Sequence, residues 1–149
     1  MRKENIQMRK GIIQMCQVLG AQMLQDAGVS KCDIEYDAQK IKRDGNKLTG
    51  SVYVLFGDRE PVTIGTCGEN EIRFIMQVNV EYPKALADGI LWDAVDTIEN
   101  CLVEGEPLTY NKTTATIRKI NVSSPIISGG LRKVAISINL DLRQRRKGE

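Results

Sequence analysis

Any acid–base or metal chemistry in this chain of 149 residues would have to run on carboxylates and thiols, because the sequence contains no histidine. The four cysteines, Cys16, Cys32, Cys67 and Cys101, lie far apart and none belongs to a CxxC pair. Zinc sites need histidine or close thiolate pairs, so no metal is expected, and the thiols are expected to be reduced and mostly buried. Without histidine as a base most triad chemistry is excluded, and the serines and cysteines lack an evident activating partner. Asp88, Asp93, Asp96 and Glu99 lie close together in one helical stretch. At i, i+3 and i+6 the last three share much of one face, opposite an apolar stripe, which is the pattern of a solvated face rather than a cation site. The glycine-rich stretches GTCGEN and SGGL match neither the phosphate loop nor the dinucleotide fingerprint. The expectation is a protein that is not an enzyme and uses no cofactor.

Charge points in the same direction. The net charge is only +2, and 42% hydrophobic with 27% charged residues is the composition of an ordinary globular chain long enough to bury a core, read as a single domain over residues 1–149. Both ends are basic, with Arg2, Lys3, Arg9 and Lys10 at one and Arg143, Arg145, Arg146 and Lys147 at the other. Residues 143–149 read as a flexible basic tail, and its four cations are the candidates for phosphate contact. With two phenylalanines, four tyrosines and one tryptophan, the sequence offers no stacking platform, and no recognition helix is evident. Non-specific contact is the most that DNA should receive. The N-terminal run MRKENIQMRKGIIQMCQVLGAQML is interrupted by Gln14, Gln17 and Gln22 at helical spacing and has no small-residue cleavage site, so it reads as an amphipathic helix of a cytoplasmic product. No stretch approaches the roughly 18 apolar residues of a membrane span.

The elements that must position any functional surface are organised around residues 71–102. Ile72, Phe74, Met76, Val78, Val80 and Tyr82 alternate with polar residues, which predicts a strand with one buried face. Pro83 ends it, Asp88 is a plausible N-cap, and Leu91, Ala94, Val95, Ile98, Cys101 and Leu102 follow at helical spacing. Before this unit, Ile12, Cys16, Leu19, Met23 and Ala27 predict a helix over about residues 5–27 with Gly28 as its C-terminal cap. Strands are predicted over residues 31–43 (weak after Tyr36), over 48–56, and around Val62, Ile64 and Thr66. Asp44-Gly45 and the stretch GDREP at 57–61 are read as turns, so an antiparallel meander results. After the second helix, Gly105-Glu106-Pro107 breaks the pattern, residues 113–122 alternate weakly, and SSPIISGG at 123–130 reads as a loop. Val134, Ile136, Ile138, Leu140 and Leu142 mark the last strand.

The predicted class is α+β, in the order α-β-β-β-β-α-β-β, with a largely antiparallel or mixed sheet and both helices on one face. The opposite face would carry Arg73, Gln77, Asn79, Ser137, Asn139 and Asp141, and would meet water, an opening or another subunit.

The whole chain resembles the tail terminator proteins of long-tailed bacteriophages, of the minor tail protein U kind. The likeness lies in the N-terminal amphipathic helix, the short meander, the strand EIRFIMQVNVEYP leading into the helix LADGILWDAVDTIENCL, and the last strand GGLRKVAISINLDL approached through a glycine turn. It is one of pattern and element order, with no motif matching position by position, and the basic C-terminal run departs from the family's acidic members. The resemblance implies a non-catalytic subunit of the virion tail, made in the host cytoplasm. It would form a hexameric ring that caps the finished tail tube, stops its growth and joins the head-completion or connector protein, with DNA passing through the opening. It also implies subunit contacts at the tip holding Lys42, Arg43 and Lys47, at the loop holding Ile126 and Ile127, and on the face of Arg73, Gln77 and Asn79. The other readings are a different neck or tail-completion protein, or a small cytoplasmic binding domain of α+β fold.

Overall fold

Strand β3 (Glu69–Pro83) lies in the middle of the sheet because its alternation gives it one wholly apolar side. Ile72, Phe74, Met76, Val78 and Val80 are buried, while Arg73 between them is exposed. The structure, a computed structural model, describes residues 3–36, 40–41, 47–61, 69–84, 86 and 88–145. β3 pairs antiparallel with β2 (Thr49–Pro61) on one side and with β7 (Leu131–Arg145) on the other. The other strands are β1 (Ile34–Tyr36), β4 (Pro107–Tyr110), β5 (Thr113–Val122) and β6 (Ile126–Ser128). They lie in the order β1-β2-β3-β7-β5-β4, and β6 pairs with β7 beyond the end of β5.

Two helices cover the apolar side, as the α+β reading expects. α1 (Lys3–Asp26) buries Ile12, Met15, Cys16, Met23 and Leu24, while Leu19 and Ala27 of the expected stripe are half-buried. It closes in a Schellman motif: Gly28, at φ +105°, donates to the carbonyl of Gln25, and Val29 donates to that of Leu24. Glycine also sets how closely α1 approaches the sheet. A Cβ at Gly20 would stand 2.9 Å from the methyls of Val52, and one at Gly50 would stand 2.7 Å from Leu24. α2 (Gly89–Asn100) buries Leu91, Ala94, Val95 and Ile98 and exposes Asp93, Asp96 and Glu99. Asp88 is its N-cap residue, but its carboxylate makes no capping bond and instead lies 3.3 Å from Arg132 on β7.

The strands differ from the expected meander in four places, each for a local reason. β1 is three residues long and runs parallel to β2, so the two are not the arms of a hairpin; the turn expected at Asp44-Gly45 lies outside the described residues. GDREP does not turn: β2 continues through it with one extra residue between Phe56 and Arg59, a β-bulge at Gly57, where a Cβ would meet the Arg73 carbonyl at 3.2 Å. The predicted strand at Val62, Ile64 and Thr66 lies outside the described residues. Beyond α2, the break at Gly105–Pro107 is followed by an unforeseen strand, β4, which turns into β5 through Asn111 at φ 57°. Finally, the loop at 123–130 holds β6, joined to β7 by Gly129 and Gly130 at φ 60° and 79°.

Of the described cysteines only Cys16 is buried; Cys32 and Cys101 are exposed, and none of the three forms a disulfide. This corrects the expectation of mostly buried thiols. Cys101 follows α2 as its C-cap residue, past the buried turn that ends at Ile98, and its thiol donates to the Thr97 carbonyl. Burial pushes the Cys16 thiol up to about 12 from its ordinary 9.0.

Two predictions follow from this packing. Gly50→Ala should cost about 1–3 kcal/mol in urea unfolding, because the added carbon meets both Leu24 and the Asn79 carbonyl. Between pH 9 and 12 the unfolded chain has released the Cys16 proton while the folded chain keeps it, so this stabilisation is complete below pH 9 and is lost as pH rises, by up to about 1.4 kcal/mol per pH unit. Cys16→Ala should therefore show a shallower alkaline fall in stability than the unsubstituted protein, read from denaturant titrations over that range.

Candidate subunit interface

Period two in β3 and β7 sends the polar side chains to the face away from the helices. There Arg73 is exposed, Gln77 is half-buried and Asn79 is only 2% exposed. Asn79 is closed over by its own chain: its amide donates to Ser51 Oγ at 2.9 Å and its oxygen accepts from Gln77 Nε2 at 3.0 Å. It thus serves the sheet's own hydrogen bonding rather than standing open to a neighbour. A hollow of about 270 Å³ lies beside it, lined by Tyr53, Glu81, Leu131 and Lys133 among others.

A larger hollow, about 550 Å³, opens at the other end of this face. Leu55 and Ile75 contribute apolar surface, and two ion pairs border it: Arg73 Nε with Glu71 Oε1 at 2.7 Å, and Arg118 with Asp141. Arg118 reaches this place through a second bulge in β5. Ile117 pairs with Leu140 and Lys119 with Asn139, so one extra residue separates them and the inward positions change from Ala115 and Ile117 to Ile120 and Val122. The hydrogen bond from Arg118 to Asp141, and then the carboxylate's charge, push the guanidinium pKa up. Among the described residues, no group of three or more cysteines, aspartates and glutamates is arranged to hold a metal ion.

The parallel crossover is anchored at the far side of β2. Glu35, 4% exposed, accepts hydrogen bonds from Tyr53 Oη at 2.9 Å and from the Ile41 amide at 3.3 Å, and Lys40 lies 3.9 Å away. Lys47, an expected contact residue, is 3.0 Å from Asp33 and so is engaged with its own chain. Lys42 and Arg43 lie outside the described residues, as do Arg146 and Lys147. Arg143 and Arg145, placed in the expected tail, belong to β7 opposite Glu71 and Glu69.

Among the described residues, strand edges remain open on both sides of the sheet, and two of them carry exposed apolar side chains. β1 covers β2 only at Gly50, Ser51 and Val52, and no described strand pairs the outer edge of residues 54–57. Leu55 and Phe56 on that edge are 52% and 38% exposed, with Arg9 5.8 Å from the centre of the Phe56 ring. On the opposite side of the sheet, β6 pairs only with β7, and its Ile126 and Ile127 are 49% and 54% exposed. The β6 pair was among the expected contacts; the β2 pair was missed. Its signal was present in VYVLFG, since two adjacent apolar residues in a strand cannot both face the same core.

No family model matches the chain, and no curated protein matches it. Solved structures do. One chain with no descriptive name superposes at TM-score 0.63 with 15% identity over 95% of each chain. A chain from the virion of a native gene transfer agent particle superposes at TM-score 0.45 with 14% identity, over 84% of this chain and 92% of that one. The first likeness shows a shared fold; the second is too loose to argue from. No described helix is long and apolar enough to cross a membrane.

Asn79→Ala should cost about 1–3 kcal/mol, because it leaves Ser51 without its buried partner. Arg73→Ala, which breaks an exposed ion pair, should cost no more than about 1 kcal/mol. Chemical denaturation of the two variants checks both.

Proposed function

We propose that this chain is a structural subunit of a phage-like virion, a ring-forming protein of the tail terminator type that is not an enzyme. The observation that carries the reading is that, among the described residues, open strand edges bearing exposed apolar side chains lie on opposite sides of one sheet. Open edges are a hazard for a free monomer and a means of assembly for a subunit that meets copies of itself. Because the two edges differ, the contact they favour is head-to-tail, and such a contact closes into a ring when the rotation between subunits allows it. The resemblance in element order to tail terminators supports the same reading and supplies its finer points: a hexamer at the end of the tail tube, with the tail tube protein on one side and the head-completion or connector protein on the other. Its place is then the tail of the virion, no cofactor takes part, and DNA in the opening meets at most non-specific contacts from Arg143, Arg145, Arg146 and Lys147.

The larger hollow favours a second reading, a small binding domain that uses the polar face. Its carboxylates Glu71 and Asp141 are already paired with arginine, which weighs against a site of convergent acids. Another neck or tail-completion protein would share the ring and differ in its neighbours. Negative-stain electron microscopy of the purified protein, with sedimentation over a range of concentration and salt, separates these readings. Rings with a central opening are expected; a folded monomer in every condition, with or without tail tubes, contradicts the proposal.

A further inference from the structure

We infer that neighbouring copies join by extending the sheet, with β6 of one copy pairing antiparallel with β2 of the next at residues 53–55. The inference rests on the ring-forming reading and specifies its contact. The strand directions allow it. β2 runs opposite to β3, β3 opposite to β7, and β7 opposite to β6, so β2 and β6 run in opposite senses. A second copy set beside the first in the same orientation therefore brings β6 to β2 in the antiparallel sense, in which the hydrogen bonds lie perpendicular to the strands.

The faces agree as well. Leu55 lies opposite Ile75 and Ile126 opposite Lys133, all on the polar face, while Phe56 lies opposite Phe74 and Ile127 opposite Arg132 on the helical face. A register that sets Ile126 against Leu55 sets Ile127 against Val54, with Phe56 diagonal to it. The four most exposed apolar side chains of the two edges are then covered together, two on each face, while backbone groups left open on both edges gain partners. The second copy is thus the occupant that the chain itself supplies, and the contact repeats head-to-tail. Every copy keeps its helices on one wall and its polar face on the other.

Cross-linking tests this contact directly. Leu55→Cys and Ile126→Cys are made singly and together, with Cys32→Ser, Cys67→Ser and Cys101→Ser removing the other thiols apart from the buried one. On mild oxidation the double variant should give a ladder of covalent oligomers ending at the ring, and a mixture of the two single variants should give dimers only. Peptide mapping should place the bond between positions 55 and 126. Ile126→Asp/Ile127→Asp, with an unchanged circular dichroism spectrum, should abolish the ring; should that variant fail to fold, the cross-link decides alone. Rings that form without a bond between positions 55 and 126 overturn the edge pairing and leave the ring reading standing. A folded monomer that gives no ladder overturns both.

Discussion

Strand β3 is paired on both sides over nearly its whole length, and that double pairing fixes the register of β2 and β7 and, through them, of both helices. A slip of one residue would turn Phe74, Met76 and Val78 toward the polar face and bring Arg73 and Gln77 beneath the helices. The cost would be several side chains at about 1.5–3 kcal/mol each, together with a charge in an apolar core. Val52 on one side and Ile136, Ile138 and Leu140 on the other add to the same surface because they are registered to β3. α1 can then lie close against β2 only where Gly20 and Gly50 leave room. Where strict alternation would misplace a neighbouring strand, a bulge absorbs the extra residue, at Gly57 in β2 and at Arg118 in β5.

This hierarchy explains what could be read from the sequence. β3, β7, α1 and α2 are long and periodic, and their apolar positions name the core directly; the cap at Gly28 could be read for the same reason, since its chemistry is local. The parallel sense of β1 could not, because direction depends on where a crossover leads and not on the three residues Ile34–Tyr36. Gly57 carried a true signal with two meanings: a glycine between strand-like runs marks a turn or a bulge, and pairing to β3 decides between them. The weak alternation of residues 113–122 has the same origin, since the bulge at Arg118 reverses which positions face inward. On the candidate surface, the polar face and the exposed Ile126 and Ile127 could be read from the pattern. The burial of Asn79 and the attachment of Lys47 to Asp33 could not, because each depends on a partner distant in sequence.

The helices satisfy one face of the sheet and leave its edges to be dealt with. Nature commonly blunts such edges with charge, proline or a covering segment. Here β1 covers three residues of β2, and the exposed side chains that follow on the open edge are Leu55 and Phe56. At the other side, β6 is short but carries two isoleucines. A ring built on these edges would extend, around a circumference, the same ladder that holds each subunit together. Its polar wall would hold the ion pairs Arg73–Glu71 and Arg118–Asp141.

Backbone amide hydrogen exchange, followed by mass spectrometry on assembled and dissociated protein, tests this account most directly. Edge pairing predicts that residues 53–55 and 126–128 gain protection together on assembly, while β4 and the exposed face of α2 remain as they were. Protection that rises at β4 or over α2, with residues 53–55 and 126–128 exchanging as fast as in the dissociated protein, would contradict it.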